Sequence, residues 1–201
     1  DLVRSRGLGD VYKRQGYAKA AKLLLDKAGI ENYVITGTAK REDGASEGHM
    51  WNVVFIDGKP YNLDLTWDDP IGEGVTQNKR YAYFNITDEE ILKTHTFSDA
   101  SACCTATDSN YFVKLGRQFD GYNAETKTAL SNMFGGHKSG DKLDVRFSSE
   151  DAYQRAIDGL LKKEEIYRLL SIADAGKGGF STTQINYIAD DTHCVIEFIL
   201  V

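Results

Sequence analysis

Cysteine is scarce in this chain, and so are long apolar runs and excess positive charge. The 201 residues include three cysteines, two of them adjacent, which excludes a disulfide framework and a C-x-x-C zinc pair. No apolar run approaches the roughly 18 residues that a membrane-spanning helix needs. The formal net charge is −6 and the pI about 5.3. This balance argues against nonspecific nucleic-acid binding, which requires clustered lysine and arginine.

The first fifteen residues, DLVRSRGLGDVYKRQ, differ from the rest of the chain. They carry four basic residues against two aspartates, and they show neither the apolar core of a signal peptide nor a helical period. The string resembles the translated sequencing-adapter read-through found at the ends of open reading frames assembled from fragmentary DNA. We therefore expect residues 1–15 to be a non-native leader, residues 16–97 a partial domain, and any signal or anchor to be lost upstream.

A helix and a β-hairpin are predicted next. Residues 17–28 have a helical period with Leu24, Leu25 and Ala28 inward, and Gly29 follows at the C′ position. A strand at 32–38 and a polar loop at 40–47 lead to the hairpin.

The hairpin is centred on Asp57-Gly58, a dipeptide that type I′ turns favour. The flanking arms, 49–56 and 61–66, are rich in β-branched and aromatic residues. If Asp57 and Gly58 are the two loop residues, Ile56 pairs with Lys59, and the rest of the register follows.

This register brings a histidine and an aspartate to one face of the hairpin. Counting back places His49 opposite Thr66 and Trp51 opposite Asp64, so His49 and Asp64 become diagonal neighbours. Such neighbours lie roughly 7–8 Å apart at the backbone, which lets a carboxylate reach an imidazole. A histidine held by a carboxylate is the base half of nucleophilic catalysis. The alternative is a plain hydrogen-bonded pair on a half-exposed sheet, and the pattern leaves both open.

Three segments carry a more specific signature: QGYAKAAKLLLDKAGI at 15–30, GHMWNVV at 48–54 and YNLDLTWDDP at 61–70. In order and spacing they resemble the core of the bacterial transglutaminase-like superfamily. The resemblance implies an α+β, papain-like core in which a helix packs on an antiparallel sheet. It also implies His49 as the base and Asp64 as its orienting carboxylate, with the substrate cleft near Gly16, Tyr17 and Trp51.

The chain departs from that family at the nucleophile. The family's cysteine stands two residues before the Gly-Tyr-Ala that begins at Gly16, at a helix N-terminus, and Arg14 stands there in this chain. A guanidinium stays protonated and cannot attack a carbonyl. Cys103, Cys104 and Cys194 lie far downstream and offer no obvious replacement. We therefore expect the chain as written to be inactive, either because the gene is truncated or because it is a natural, catalytically dead paralogue.

The resemblance also implies a function for the intact protein. This is a cysteine hydrolase or acyltransferase acting on the peptide or amide bonds of a peptide, protein or cell-wall peptide, in the cell envelope or secreted, without cofactor or metal. Hydrolysis is the default, since water is always available as the acceptor. The alternative is a noncatalytic descendant that binds a peptide or glycan in the same cleft, and the fold alone does not decide between them.

After residue 97 the sequence changes character. Residues 98–110 are predicted to be a linker or an irregular crossing segment, and 98–201 a small C-terminal α+β module. Its predicted elements are helices at 123–134 and 149–175 and strands at 142–147, 184–189 and 193–201. It shows no catalytic constellation, so we expect a packing or ligand-presenting role.

Smaller features have simple interpretations. A short strand is predicted at 81–84, and Thr87 with Glu90 matches a capping box. His95, His137 and His193 are expected to be structural or exposed rather than ligands. Asp68-Asp69 is expected to be a solvated turn rather than a cation site, because adjacent carboxylates do not easily face one ion.

Overall fold

A computed structural model describes residues 2–40, 44–69, 81–98 and 102–201, with the backbone alone for residues 2–14. The chain divides into two compact units, Asp1–Lys114 and Leu115–Val201. Both combine helices with largely antiparallel sheets, so the predicted α+β class is confirmed. None of the helices in the described ranges has the length and apolar character needed to cross a bilayer.

Helix α1 spans Leu2–Lys27, 26 residues. The expectation of no helix before residue 17 is therefore wrong. Propagating an existing helix costs far less than nucleating one, and residues 1–15 contain three arginines and no proline to stop it. The predicted helix end is confirmed: Gly29 has φ +72°. Its N–H donates to the Asp26 carbonyl at 3.1 Å, and the Ile30 N–H donates to the Leu25 carbonyl at 2.9 Å.

The inward face of α1 differs from the predicted one. Ala18 and Ala21 are buried and Leu25 is half-buried, whereas Leu24 is 66% exposed and Ala28 is also exposed. Leu25 was placed correctly, while Leu24 and Ala28 were not. Two alanines on the inner face let the helix backbone approach the sheet closely, and this close packing sets its rotation.

The first unit contains a five-stranded antiparallel sheet in the order β4-β3-β2-β1-β5. The strands are β1 (Asn32–Lys40), β2 (Ser46–Ile56), β3 (Lys59–Leu63), β4 (Phe84–Ile86) and β5 (His95–Phe97). Two short helices accompany them, α2 (Asp88–Ile91) and α3 (Tyr111–Lys114). Thr87 and Glu90 form the predicted capping box at the start of α2.

The predicted hairpin register is confirmed between β2 and β3. Asp57 and Gly58 have φ of +52° and +74°, as a type I′ turn requires. Ile56 pairs with Lys59, and the pairing continues to Asn52 and Leu63. The second arm ends at Leu63, short of the predicted Thr66.

The two faces of this sheet are covered by different segments. Val54, Tyr61 and Leu63 form a buried cluster with Leu25 of α1. Because side chains alternate along a strand, Trp51 and Val53 point to the other face. There they join a second cluster, whose other buried members are Ile35, Ala82, Tyr83, Ile86, Ile91 and Cys104.

The first unit extends past the predicted boundary at residue 98. Cys104 belongs to its core. Asp108 accepts a hydrogen bond from the Tyr61 hydroxyl at 2.8 Å and one from the Lys59 ammonium at 3.0 Å. These long-range contacts hold the irregular segment against the sheet and place the division after Lys114.

The second unit has a four-stranded sheet in the order β6-β7-β9-β8. Its strands are β6 (Gln118–Phe119), β7 (Lys142–Phe147), β8 (Ile185–Asp190) and β9 (Val195–Leu200), and its α-helices are α4 (Ala124–Phe134), α5 (Glu150–Ile157) and α6 (Glu165–Asp174). Strands β6 and β7 are parallel, and the other pairs are antiparallel. The predicted single helix at 149–175 is interrupted, because a π-helical turn over Asp158–Lys162 and a left-handed Glu164 separate α5 from α6.

Candidate active site

His49 lies on β2 with its side chain fully buried. Its Nε2 atom is 2.5 Å from Oδ2 of Asp64, the residue that follows β3. The predicted contact between these two residues is therefore confirmed.

A turn, rather than strand pairing, places the Asp64 carboxylate. Its Oδ1 atom accepts the backbone N–H groups of Thr66 and Trp67 at 3.0 and 3.3 Å. The Asp64 N–H in turn donates to the Tyr83 carbonyl at 3.1 Å. The predicted pairing of His49 with Thr66 is therefore wrong. The chain turns at Asp64, and the N–H groups of Thr66 and Trp67 bind the Asp64 side chain instead of a neighbouring strand. Oδ2 is left to face the imidazole.

A second histidine, His95 of β5, shares that oxygen. Its Nε2 atom lies 3.0 Å from Asp64 Oδ2, and its side chain is fully buried. Its Nδ1 atom lies 2.8 Å from the Thr94 hydroxyl oxygen. The sequence interpretation of His95 as structural or exposed missed this contact. No motif marks the residue, and β5 reaches the site only by pairing with β1, where His95 lies opposite Ala39.

The hydrogen bonds define the tautomers. An ionised carboxylate only accepts, so the Nε2 atoms of both imidazoles carry the protons that point at Asp64. In His95, Nδ1 then accepts from the Thr94 hydroxyl. In His49, Nδ1 is buried, and no hydrogen-bond partner for it lies among the described residues. His49 Nδ1 is therefore an unprotonated hydrogen-bond acceptor that is buried away from solvent.

Two carboxyl groups in this turn have opposite electrostatics. Burial tends to raise the pKa of Asp64, but the hydrogen bonds from His49 and His95, together with their charge, lower it to about 2. Burial raises the pKa of Asp68 well above its ordinary value, and the charge of Asp64 adds to this. Burial also lowers the pKa of His95, although its bond to Asp64 opposes the change. Asp64 is thus the ionised carboxylate of the site.

Aromatic rings surround His49 and exclude water from it. Trp51 stacks on it with ring centroids 6.1 Å apart and planes 19° apart, and the Trp67 centroid is 5.9 Å away. Trp51 shares the face of His49, as expected. It is only 1% exposed, and its indole N–H donates to Asn62 Oδ1 at 3.1 Å. In this chain Trp51 is a core residue that walls His49 rather than part of an open surface.

The segment expected to carry the nucleophile is placed differently from the prediction. Arg14 lies inside α1 rather than at the start of a helix. Gly16 is exposed with open space around it, and the Tyr17 hydroxyl donates to the Asp69 carboxylate. Tyr17 thus ties α1 to the turn that follows Asp64.

The contacts of α1 also give its direction along the sheet. The Asn52 side-chain amide donates to the Ala18 carbonyl at 3.0 Å, and Leu25 packs on the cluster around Val54. Helix and strand therefore run in the same sense, and helix residues before Ala18 lie toward the His49 end of β2. By strand alternation α1 faces Asn52 and Val54, the side opposite to His49.

Asp68 and Asp69 do not form the expected solvated turn. Asp68 is buried and accepts the Tyr83 N–H at 2.8 Å. Asp69 is half-buried and accepts the Tyr17 hydroxyl. Each carboxyl binds a different partner, because the turn folds back onto Tyr83 and α1.

The three cysteines differ in exposure. Cys103 is exposed, whereas Cys104 and Cys194 are buried. Burial, with the nearby Asp88 carboxylate, raises the pKa of the Cys104 thiol to about 12, so this thiol is not ionised near neutral pH. The remaining histidines form separate pairs in the second unit: His137 Nδ1 lies 3.0 Å from Asp141, and His193 Nδ1 lies 3.1 Å from Asp190.

The chain matches no protein-family model and no curated protein sequence.

Proposed function

We propose that this chain derives from a transglutaminase-like cysteine hydrolase or acyltransferase with a papain-like core that acts on peptide or amide bonds. The observation that carries the proposal is the state of His49. Its Nε2 is held by the Asp64 carboxylate, and its Nδ1 is buried without a partner among the described residues. A general base needs this arrangement, in which one nitrogen is oriented and the other is kept for the reacting proton.

In the parent enzyme a cysteine at the position of Arg14 would supply the nucleophile. His49 Nδ1 takes the thiol proton and the sulfur attacks the carbonyl carbon. The tetrahedral intermediate then breaks its C–N bond as the imidazolium returns that proton to the leaving amine. Water attacks the resulting thioester, with His49 again taking a proton, and the products are the carboxylic acid and the free thiol. Asp64 stays ionised and orients His49 throughout.

Residues before Ala18 lie toward the His49 end of β2, but α1 packs on the sheet face opposite to His49. In the parent enzyme the residue at position 14 would therefore have to lie closer to His49 than this packing places it. The helix dipole should not help to stabilise a thiolate at position 14. Its effect is confined to the first turn of a helix, and α1 begins at Leu2. Because position 14 lies inside α1, a thiolate there would depend on His49 alone.

Reactivity of an introduced thiol tests the proposal. Arg14→Cys is compared with Lys19→Cys, an exposed position of the same helix, both in a Cys103→Ala background that removes the exposed native thiol. We expect the cysteine at position 14 to alkylate faster near neutral pH. Adding His49→Ala should slow it to the rate of the control, whereas adding His137→Ala should not. If the cysteine at position 14 alkylates at the rate of the control, and His49→Ala does not change that rate, the noncatalytic binding descendant would be favoured.

A further inference from the structure

Three potential metal ligands converge on one point beneath the aromatic rings of the first unit. His49, Asp64 and His95 each direct one ligand atom there, and these atoms all lie within 4.8 Å of one another. The His49 and His95 Nε2 atoms are 2.5 and 3.0 Å from Asp64 Oδ2. The residues come from β2, the turn after β3, and β5, so the cluster is a product of the sheet rather than of one local motif.

The ligand set is the one that borderline transition cations prefer. Two imidazoles and one carboxylate bind zinc in many proteins and leave a fourth tetrahedral position open. Bonds of about 2.0–2.2 Å place neighbouring ligands of a tetrahedral ion about 3.3 Å apart. The two histidine–aspartate separations of 2.5 and 3.0 Å therefore need to open by less than about 1 Å, with the ion replacing the two shared protons. The separation of the two imidazole nitrogens, which is within 4.8 Å, has to reach the same value.

The outer atoms of two of these ligands are already held, as metal sites require. Asp64 Oδ1 is fixed by the Thr66 and Trp67 N–H groups. A metal-bound His95 carries its proton on Nδ1, which lies 2.8 Å from the Thr94 hydroxyl oxygen. The hydroxyl oxygen can accept a hydrogen bond from this Nδ1–H and donate its own hydrogen to the Ile91 carbonyl, which is 3.5 Å away.

We propose that His49, Asp64 and His95 form a zinc-binding site. His49 Nδ1 lacks an outer partner among the described residues, and loss of one such partner typically weakens metal binding about 10- to 100-fold. The expected affinity is accordingly moderate. Zinc and catalysis would compete for this cluster, because an ion on His49 Nε2 displaces that nitrogen from the Asp64 carboxylate that orients it.

The second unit supplies matched controls for the experiment. His137 with Asp141 and His193 with Asp190 are also histidine–aspartate pairs at about 3 Å. They differ from the proposed site in having one histidine per carboxylate rather than two. A site that needs three ligands should bind zinc far more tightly than either pair.

The test measures zinc on the full chain, purified without a histidine tag and with Arg14 in place. Because the ligands are buried, the protein is incubated with Zn²⁺ for hours, desalted, and assayed for bound metal and affinity. Co²⁺ then serves as a spectroscopic probe, since tetrahedral coordination gives intense visible bands. We expect one Zn²⁺ per chain, and His95→Gln and Asp64→Asn should each weaken binding at least about 10-fold. His137→Gln and His193→Gln should bind as the parent chain does.

Folding of each variant is checked by its unfolding temperature, which zinc should raise in the parent chain and in the controls only. If His95→Gln does not fold, Thr94→Val removes only the outer partner of His95 and should still weaken binding about 10-fold or more. Absence of stoichiometric zinc, or binding that the site variants leave unchanged, would overturn the proposal. Thiol reactivity is measured with a chelator present, so either proposal can fail while the other stands.

Discussion

Asp68 donates its backbone N–H to the carbonyl of Asp64 at 3.2 Å, and the carboxyl groups of these two residues carry opposite pKa shifts. The histidines keep Asp64 ionised. Asp68 instead has a buried Oδ2 atom without a partner among the described residues, which favours its neutral form. One turn thus holds a charged and a neutral carboxyl in different roles.

The pH dependence of stability should reveal Asp68. Its folded-state pKa is raised, so its contribution to stability is complete below the ordinary pKa of 3.8 and is lost as pH rises toward the folded value. Asp68→Asn keeps the acceptor for the Tyr83 N–H and cannot ionise. We expect the variant to gain stability relative to the parent chain on going from pH 4 to pH 7. Urea unfolding at both pH values, with chelator present, measures this gain.

The matched control is Asp120→Asn, at an exposed position of the second unit. This variant shows what the loss of one exposed carboxylate does to stability at the two pH values, and the gain of Asp68→Asn is compared with it. An Asp68→Asn variant whose difference from the parent chain does not change with pH would show that Asp68 is ionised in the fold.

Gly37 should not tolerate a side chain. It lies opposite His49 on β1, and a Cβ atom there would be 2.1 Å from the Thr96 carbonyl oxygen and 2.7 Å from the Trp51 ring. Gly37→Ala should destabilise the first unit by about 1–3 kcal/mol, as overpacking typically does. Gly48→Ala on the adjacent strand, where nothing lies within 4 Å, should cost much less. Chemical denaturation of both variants provides the comparison, and equal losses would mean that β1 carries no such close contact.

Thiol accessibility should separate the native cysteines. Cys103 is exposed, while Cys104 and Cys194 are buried and the pKa of Cys104 is about 12. A disulfide reagent should therefore label one thiol of the folded chain rapidly and the other two only after denaturation. Cys103→Ala should remove the rapid phase.

The chain should also show no thiol-dependent activity. Incubation with a peptide or glutamine substrate should give no turnover, and turnover that alkylation abolishes would point to one of these cysteines as a nucleophile.

Features that depend on a few neighbouring residues could be predicted from the sequence. The Asp57-Gly58 turn, the Gly29 helix end and the Thr87 cap each follow from backbone preferences within about six residues. The turn also sets the β2–β3 register, and this register led correctly to the contact between His49 and Asp64. Even there, the strand ended earlier than predicted, because Asp64 binds the turn behind it.

Features that depend on distant contacts could not be predicted in this way. Leu25 can share the inward face of α1 with Leu24 and Ala28 or with Ala18 and Ala21, and only close packing of α1 on the sheet decides for the two alanines at 18 and 21. His95 carries no motif, and it reaches Asp64 because β5 pairs with β1 across a long sequence separation. The sequence around Asp68 is polar and predicts an exposed turn, but the residue is buried because that turn folds against Tyr83. The sequence by itself determined the hairpin, the Gly29 helix end, the Thr87 cap and the first two members of the site. The tertiary structure decided the third member and the charge state of the neighbouring carboxyl, since burial and long-range pairing arise only when the sheet is assembled.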